Sequence, residues 1–149
     1  MAPENTPVAI ERALDLGVDL IEIDVHVTRD GHVVVLHDAT VDRTTDGRGA
    51  VRDMTLQEVR RLHAGLWFDP PFPDARVPTL EEVLDLTRKR VPLLVEIKAH
   101  GIADRVVEAV RDLRAVEDVV GQSFQPACVK QVRELERRIP AALLVGRVP

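Results

Sequence analysis

Between Val18 and Val27 the chain alternates: Leu20, Glu22, Asp24 and His26 share one parity, while Ile21, Ile23, Val25 and Val27 share the other. A period of two predicts a strand over 18–27. Ahead of it, Ile10, Ala13, Leu14 and Leu16 recur at helical spacing. Thr6 stands where an N-cap belongs, Pro7 at the first helical position, and Gly17 at the stop. Asp30-Gly31 signals a turn, and Val33 to His37 is a second β-branched run. Thr55 with Glu58, and Thr79 with Glu82, have the spacing of capping boxes. They open a short helix carrying Val59 and Leu62 and a second one reaching about Leu86 to Lys89. Arg43 to Gly49 reads as a polar loop, and residues 65–78, with four prolines, as either an ordered surface loop or a disordered one. Beyond it come strand 91–97, with Pro92 tolerable only near its start, helix 103–113, strand 119–124, helix 126–139 and strand 142–145.

Strands and helices thus alternate through the last two-thirds, which predicts an α/β domain with a mostly parallel sheet and five strands. In such folds functional groups gather at the C-terminal ends of strands. Composition narrows the partners. With 45% apolar and 30% charged residues the chain is globular, and residues 1–149 read as one domain. A net charge of −5 leaves no basic footprint for nucleic acid. No stretch approaches the ~20 apolar residues of a membrane span. After Met1 there is neither a basic segment nor an apolar one, which reads as cytoplasmic. The single Cys128 excludes an intramolecular disulfide and a cysteine zinc site, and its place on a helix reads as buried and inert.

Three strand ends are polar where burial predicts apolar residues: Glu22-Ile23-Asp24, His37-Asp38 and Glu96-Ile97-Lys98. Parity puts Glu22 and Asp24 on one face of their strand, and Glu96 and Lys98 on one face of theirs. If Asp30-Gly31 closes a two-residue hairpin, Asp24 and His37 are directly opposite. If the strands are parallel, both end at one rim. Either arrangement brings His37 beside the carboxylates. Three carboxylates on one partly buried rim need a countercharge, and an all-oxygen set suits Mg²⁺ or Ca²⁺ better than Zn²⁺. A neighbouring imidazole suggests acid/base work, and Lys98 a donor to a phosphate oxygen. Together they describe metal-assisted chemistry on a phosphoryl group.

Taken singly, each element has a plainer reading: a solvated Glu-x-Asp pair, a hydrogen-bonding histidine, a Glu96/Lys98 ion pair. His26, His32, His63 and His100 read as structural or solvated, and Trp67 and Phe68 as a plug in the core beneath a loop. Residues 43–49 lack the Lys-Ser/Thr ending of a P-loop.

An ordered set of motifs goes further: PENT at 3–6, IEIDVHVTRDG at 21–31, VVVLHDATVDRTTDGRG at 33–49, LHAGLWFDP at 62–70, VPTLEEVL at 77–84, VEIK at 95–98 and SF at 123–124. In these the chain resembles the glycerophosphodiester phosphodiesterase family. The resemblance implies an α/β fold of the (β/α)₈ TIM-barrel type. It implies Glu22, Asp24 and Glu96 as metal ligands, His37 as one of two catalytic histidines, and Lys98 near the phosphate. The implied reaction is hydrolysis of a small glycerophosphodiester to glycerol 3-phosphate and an alcohol. The metal neutralises the phosphate, and the histidines protonate the leaving alkoxide and activate the nucleophile. The segments 42–49 and Trp67-Phe68 are hallmarks of the family without an evident role.

The family opens with a strand ending in His-Arg-Gly shortly before the PENT segment, where this chain begins. A barrel of this type runs to about 250 residues, so the five strands map onto the second to sixth of eight. An open sheet would leave two edges exposed, and self-association through them is expected. Two other readings follow: a non-catalytic barrel remnant, and a sphingomyelinase D-like lyase. A low aromatic content of 3% speaks against a membrane-binding patch for the latter.

Overall fold

Every expected helix start is present and built as its sequence dictates. The structure, a computed structural model, describes residues 1–146. Thr6 caps α1 (Pro7–Asp15), its hydroxyl accepting from the Ala9 amide, and Gly17 takes a positive φ just past the end. Thr55 and Thr79 form complete capping boxes with Glu58 and Glu82, opening α2 (Leu56–Arg60) and α3 (Leu80–Thr87). α4 (Ala103–Asp112) and α5 (Pro126–Leu135) complete the helices.

The strands are β1 (Ile21–Val27), β2 (Val33–Val35), β3 (Leu93–Ile97), β4 (Val119–Ser123) and β5 (Ala141–Leu143), in the spatial order β2-β1-β3-β4-β5. β1, β3, β4 and β5 run parallel, as helical crossovers require, whereas β2 is antiparallel to β1. The α/β class holds. The simple repeat does not extend to β2, which is the second leg of a hairpin and not a strand returned by a helix.

Ile21, Ile23 and Val25 of β1, Leu93, Val95 and Ile97 of β3 and Val119 of β4 form one core with Ile10, Leu80, Leu84, Val107, Val110 and Val132 from the helices. Cys128 is buried in the same core, as expected. Leu80, fully enclosed, tests it: Leu80→Ala is expected to cost about 2–5 kcal/mol, measured by urea unfolding. A second cluster of Val34, Leu36, Val41, Val51, Val59, Ala64 and Val77 anchors residues 39–78. The opposite parity of β1 and β3 carries the polar residues.

The hairpin register differs from the two-residue turn. Val25 pairs with Val35 and Val27 with Val33, and the Thr28 amide donates to the His32 carbonyl at 2.9 Å. Residues 29–31 therefore form the loop, with Gly31 at φ 87°. Thr28 explains the longer turn: its hydroxyl donates to Asp30 Oδ1 at 2.7 Å and accepts from the His32 amide at 2.9 Å. Asp24 consequently lies across from Leu36, whose amide donates to its carbonyl at 2.9 Å, and not from His37. A one-residue slip exchanges the faces, so His37 reaches the site only because β2 ends at Val35 and the chain bends.

Residues 65–78 are ordered, and Trp67 is no core plug: it is 43% exposed. Its indole N–H donates to the Ala64 carbonyl at 3.0 Å, and its ring meets Phe68 edge-on at 5.5 Å. Phe68 meets Phe72 at 5.7 Å, and the Arg12 guanidinium lies 4.9 Å from the Phe72 ring centre. The aromatic pair thus heads a surface ladder, where the polar indole nitrogen finds its acceptor in the loop itself.

Candidate active site

The parallel register of β1 and β3 sets Asp24 directly beside Glu96, and parity adds Glu22 on the same face. One carboxylate oxygen from each of Glu22, Asp24 and Glu96 lies within 4.8 Å of the others. Asp24 and Glu96 are only 5% and 8% exposed, while Glu22 is partly enclosed and the most exposed of the three. Burial, then the charges of Asp24 and Glu96, raise the Glu22 carboxyl above its ordinary range.

Lys98, just past β3, is the cation among them. Its Nζ lies 2.8 Å from Glu96 Oε1, 3.2 Å from Asp24 Oδ1 and 3.4 Å from His37 Nε2. Burial alone would lower the Lys98 ammonium, but hydrogen bonding and charge from Glu96 and Asp24 outweigh it and the net shift is upward. Glu96 Oε1 is buried, and its close partner among the described residues is the Lys98 ammonium, which it shares with Asp24. A buried carboxylate oxygen that shares one ammonium with a neighbouring carboxylate, beside a third carboxylate, is what a hard divalent cation would satisfy. The three carboxylates fit such an ion.

His37 is held from its other side. Its Nδ1 lies 2.7 Å from Asp38 Oδ1, and a carboxylate only accepts, so Nδ1 carries the proton and Nε2 faces Lys98. Arg43 grips Asp38 with two hydrogen bonds of 2.9 Å, to Oδ1 and Oδ2. Arg43, and after it His37, hold the Asp38 carboxyl well below the usual carboxylate range. Nη1 and Nη2 of Arg43 donate to Glu4 at 3.1 and 2.6 Å, with Nη2 shared between Glu4 and Asp38. Asn5 meets Asp24 twice: its Nδ2 donates to Oδ2 at 3.1 Å, and its Oδ1 accepts from the Asp24 amide at 3.3 Å.

The backbone under the site is tied from β4. Ser123 Oγ donates to the Ile97 carbonyl at 2.8 Å, and Gln125 Nε2 to the Lys98 carbonyl at 2.9 Å. His26 is structural, as read: its Nε2 donates to the His37 carbonyl at 3.0 Å, and burial lowers its pKa, favouring the neutral ring. His32 and His100 are solvent-facing or partly so, and His63 bonds the Pro73 carbonyl.

All five singled-out residues, Glu22, Asp24, His37, Glu96 and Lys98, therefore meet at one rim. Glu4, Asn5, Asp38 and Arg43 were not singled out. Asp38 is marked by its place directly after His37, and Glu4, Asn5 and Arg43 only by belonging to motifs without an evident role. These three lie in loops, where no period marks a side chain's direction.

Residues 1–149 match the Glycerophosphoryl diester phosphodiesterase family. The chain belongs to this family. Among relatives of the glycerophosphoryl diester phosphodiesterase family, the glycerophosphodiester phosphodiesterase of Caldanaerobacter subterraneus subsp. tengcongensis is 41% identical, over 95% of this chain and 61% of the relative. The glycerophosphodiester phosphodiesterase of Agrobacterium tumefaciens, a solved structure, is 38% identical at a TM-score of 0.88, covering 95% of this chain and 61% of that one. A phosphodiesterase of Oleispira antarctica, solved in complex with the product sn-glycerol-3-phosphate, is 28% identical at a TM-score of 0.87, covering 99% and 63%. The chain thus spans about 60% of the length of these relatives. Its sheet is the corresponding part of their TIM-barrel-like fold. Among the described residues, no helix is long and apolar enough to cross a membrane.

Proposed function

We propose that this chain contributes the metal-binding rim and one acid/base group of a phosphodiesterase that hydrolyses glycerophosphodiesters to glycerol 3-phosphate and an alcohol. The observation that carries this reading is the convergence of Glu22, Asp24 and Glu96 within 4.8 Å, with Lys98 bridging from them to His37. Membership of the family supplies the reaction. The bound product of the Oleispira antarctica relative supports glycerol 3-phosphate as one half of the substrate.

In this reading Glu22, Asp24 and Glu96 hold one Mg²⁺ or Ca²⁺, which suits their all-oxygen donor set. When bound, the ion neutralises phosphate charge as a Lewis acid. Lys98 places its ammonium where a non-bridging phosphate oxygen would accept from it, in place of one of its present carboxylate contacts. His37 moves the proton at Nε2: as imidazolium it donates to the alkoxide released when the P–O bond breaks, and as imidazole it takes the proton of an attacking hydroxyl. Asp38, bonded to Nδ1, keeps the ring turned for either role and stabilises its charged form.

The test is glycerol 3-phosphate release from sn-glycero-3-phosphocholine by the full-length protein. Turnover with added Mg²⁺ or Ca²⁺ and its loss in excess chelator are expected. Turnover that persists in chelator would overturn the metal-dependent mechanism. A cyclic phosphate as end product would make the enzyme a lyase, and no turnover on any glycerophosphodiester would leave a non-catalytic rim.

A further inference from the structure

Two adjacent residues in the turn ahead of α1 reach the two chemical halves of the rim by separate routes. Asn5 clamps Asp24 at both its Oδ2 and its amide, which leaves Oδ1 for the side shared with Lys98. Glu4 takes both terminal nitrogens of Arg43, whose adjoining edge, Nε and Nη2, grips both oxygens of Asp38. Asp38 in turn holds His37.

The turn is itself fixed. Thr6 is buried, its hydroxyl donates to the Pro3 carbonyl at 2.7 Å, and the same oxygen caps α1. Asn5 has φ 55°, a left-handed conformation that asparagine adopts more readily than most residues. Stability does not account for the chain of ions running outward from it. Glu4, Asp38 and Arg43 have side chains 40%, 31% and 48% exposed, and ion pairs so open to water contribute little to stability. What four hydrogen bonds on one planar guanidinium do supply is direction. A fork of this kind fixes the plane of each carboxylate it meets, which a lysine ammonium cannot do.

We propose that the Glu4-Asn5 turn is a shared positioning device: through Asn5 it orients the Asp24 carboxylate toward the cation, and through Glu4 and Arg43 it locks Asp38 and so the ring and tautomer of His37. This rests on the proposed phosphodiesterase reading for the meaning of the site. It assigns a task to the PENT segment and to Arg43 in the polar loop. Glu4, Asn5 and Arg43 are positioning residues, since none needs to touch the substrate.

The two arms make separable effects, read without substrate. Histidine ¹⁵N–¹H NMR of the full-length protein at about pH 8.5, above the ordinary histidine range, reports the His37 tautomer, and calorimetric titration with Mg²⁺ reports cation affinity. Arg43→Lys is expected to convert His37 from the Nδ1–H form to a mixture with Nε2–H, leaving Mg²⁺ affinity within twofold. Its kcat falls about 10–100-fold with KM little changed. Glu4→Gln moves the tautomer the same way by less, and guards against misfolding of the arginine variant. Asn5→Gly keeps the left-handed turn while deleting the amide. It is expected to weaken Mg²⁺ binding about 10–100-fold with the His37 tautomer unchanged. The proposal is overturned if the unsubstituted protein shows Nε2–H at His37, if Arg43→Lys and Glu4→Gln leave the tautomer intact, or if Asn5→Gly leaves Mg²⁺ affinity intact. Absence of phosphodiesterase turnover with these shifts present would count against the reaction assigned and not against the device.

Discussion

Replacing His37 by alanine is expected to lower kcat for sn-glycero-3-phosphocholine about 10²–10⁴-fold, the usual worth of a positioned acid/base group, while divalent-cation affinity stays within twofold. The expectation follows from what the ring touches. Its two nitrogens contact Asp38 and Lys98 and none of the three clustered carboxylates, so its loss removes a proton carrier without removing a ligand. The side chain is 51% exposed, and truncating a surface residue changes stability by about 0.5 kcal/mol or less. An unchanged melting temperature therefore separates lost chemistry from lost structure. The leaving group refines the assignment. A nitrophenolate departs without protonation, so if His37 serves as the acid, the defect shrinks on a nitrophenyl diester. If it serves as the base, the defect is the same on both substrates. Cation affinity falling in step with kcat would place His37 among the ligands instead, and full activity would remove it from the mechanism.

The same residue shows what a sequence discloses about a site of this kind. Parity along β1 sufficed to put Glu22 and Asp24 on one face, because a strand's period is rigid and its other face, Ile21, Ile23 and Val25, has to enter the core. Glu96 follows by the same logic on β3, and parallel register then sets it beside Asp24. His37 was expected near them, and is, but not by the cross-strand pairing that a two-residue turn implies. The Thr28 hydroxyl lengthened the turn by one residue, and side-chain to backbone bonds of that sort leave no trace in a hydrophobic pattern. Trp67 illustrates a second blind spot: an aromatic in a proline-rich loop can pack on the loop's own rings as well as in the core. The least legible part is the support. Asn5 reaches Asp24 across 19 residues and Glu4 reaches Arg43 across 39. Both contacts are made from loops by polar side chains whose direction no period sets. The rim was legible because burial constrains it, and its scaffold was not because hydrogen bonding alone does.

Glu96→Gln is expected to abolish cation-dependent turnover and to weaken Mg²⁺ binding at least 100-fold, yet to leave the cation-free protein as stable as before or more so. The opposite signs have one cause. Without an ion, three carboxylates share one rim with a single ammonium, which the buried Glu96 oxygen has to divide with Asp24. Neutralising Glu96 removes one of the repelling charges while Lys98 keeps its contact with Asp24 at 3.2 Å. With the ion, the same charge is a ligand, and its removal lowers both the attraction and the donor count. Thermal melts read the two effects together. At a concentration 100 times Kd, a bound ligand adds about 2.7 kcal/mol, which for a domain of 150–250 residues raises the melting temperature by roughly 5–10 °C. The unsubstituted protein should show that rise on adding Mg²⁺. The variant should begin at an equal or higher temperature in chelator and show almost no rise. A variant that melts several degrees lower in chelator would mean that the carboxylate serves the fold before the chemistry. One that keeps the full Mg²⁺-dependent rise would place the ion elsewhere than between β1 and β3.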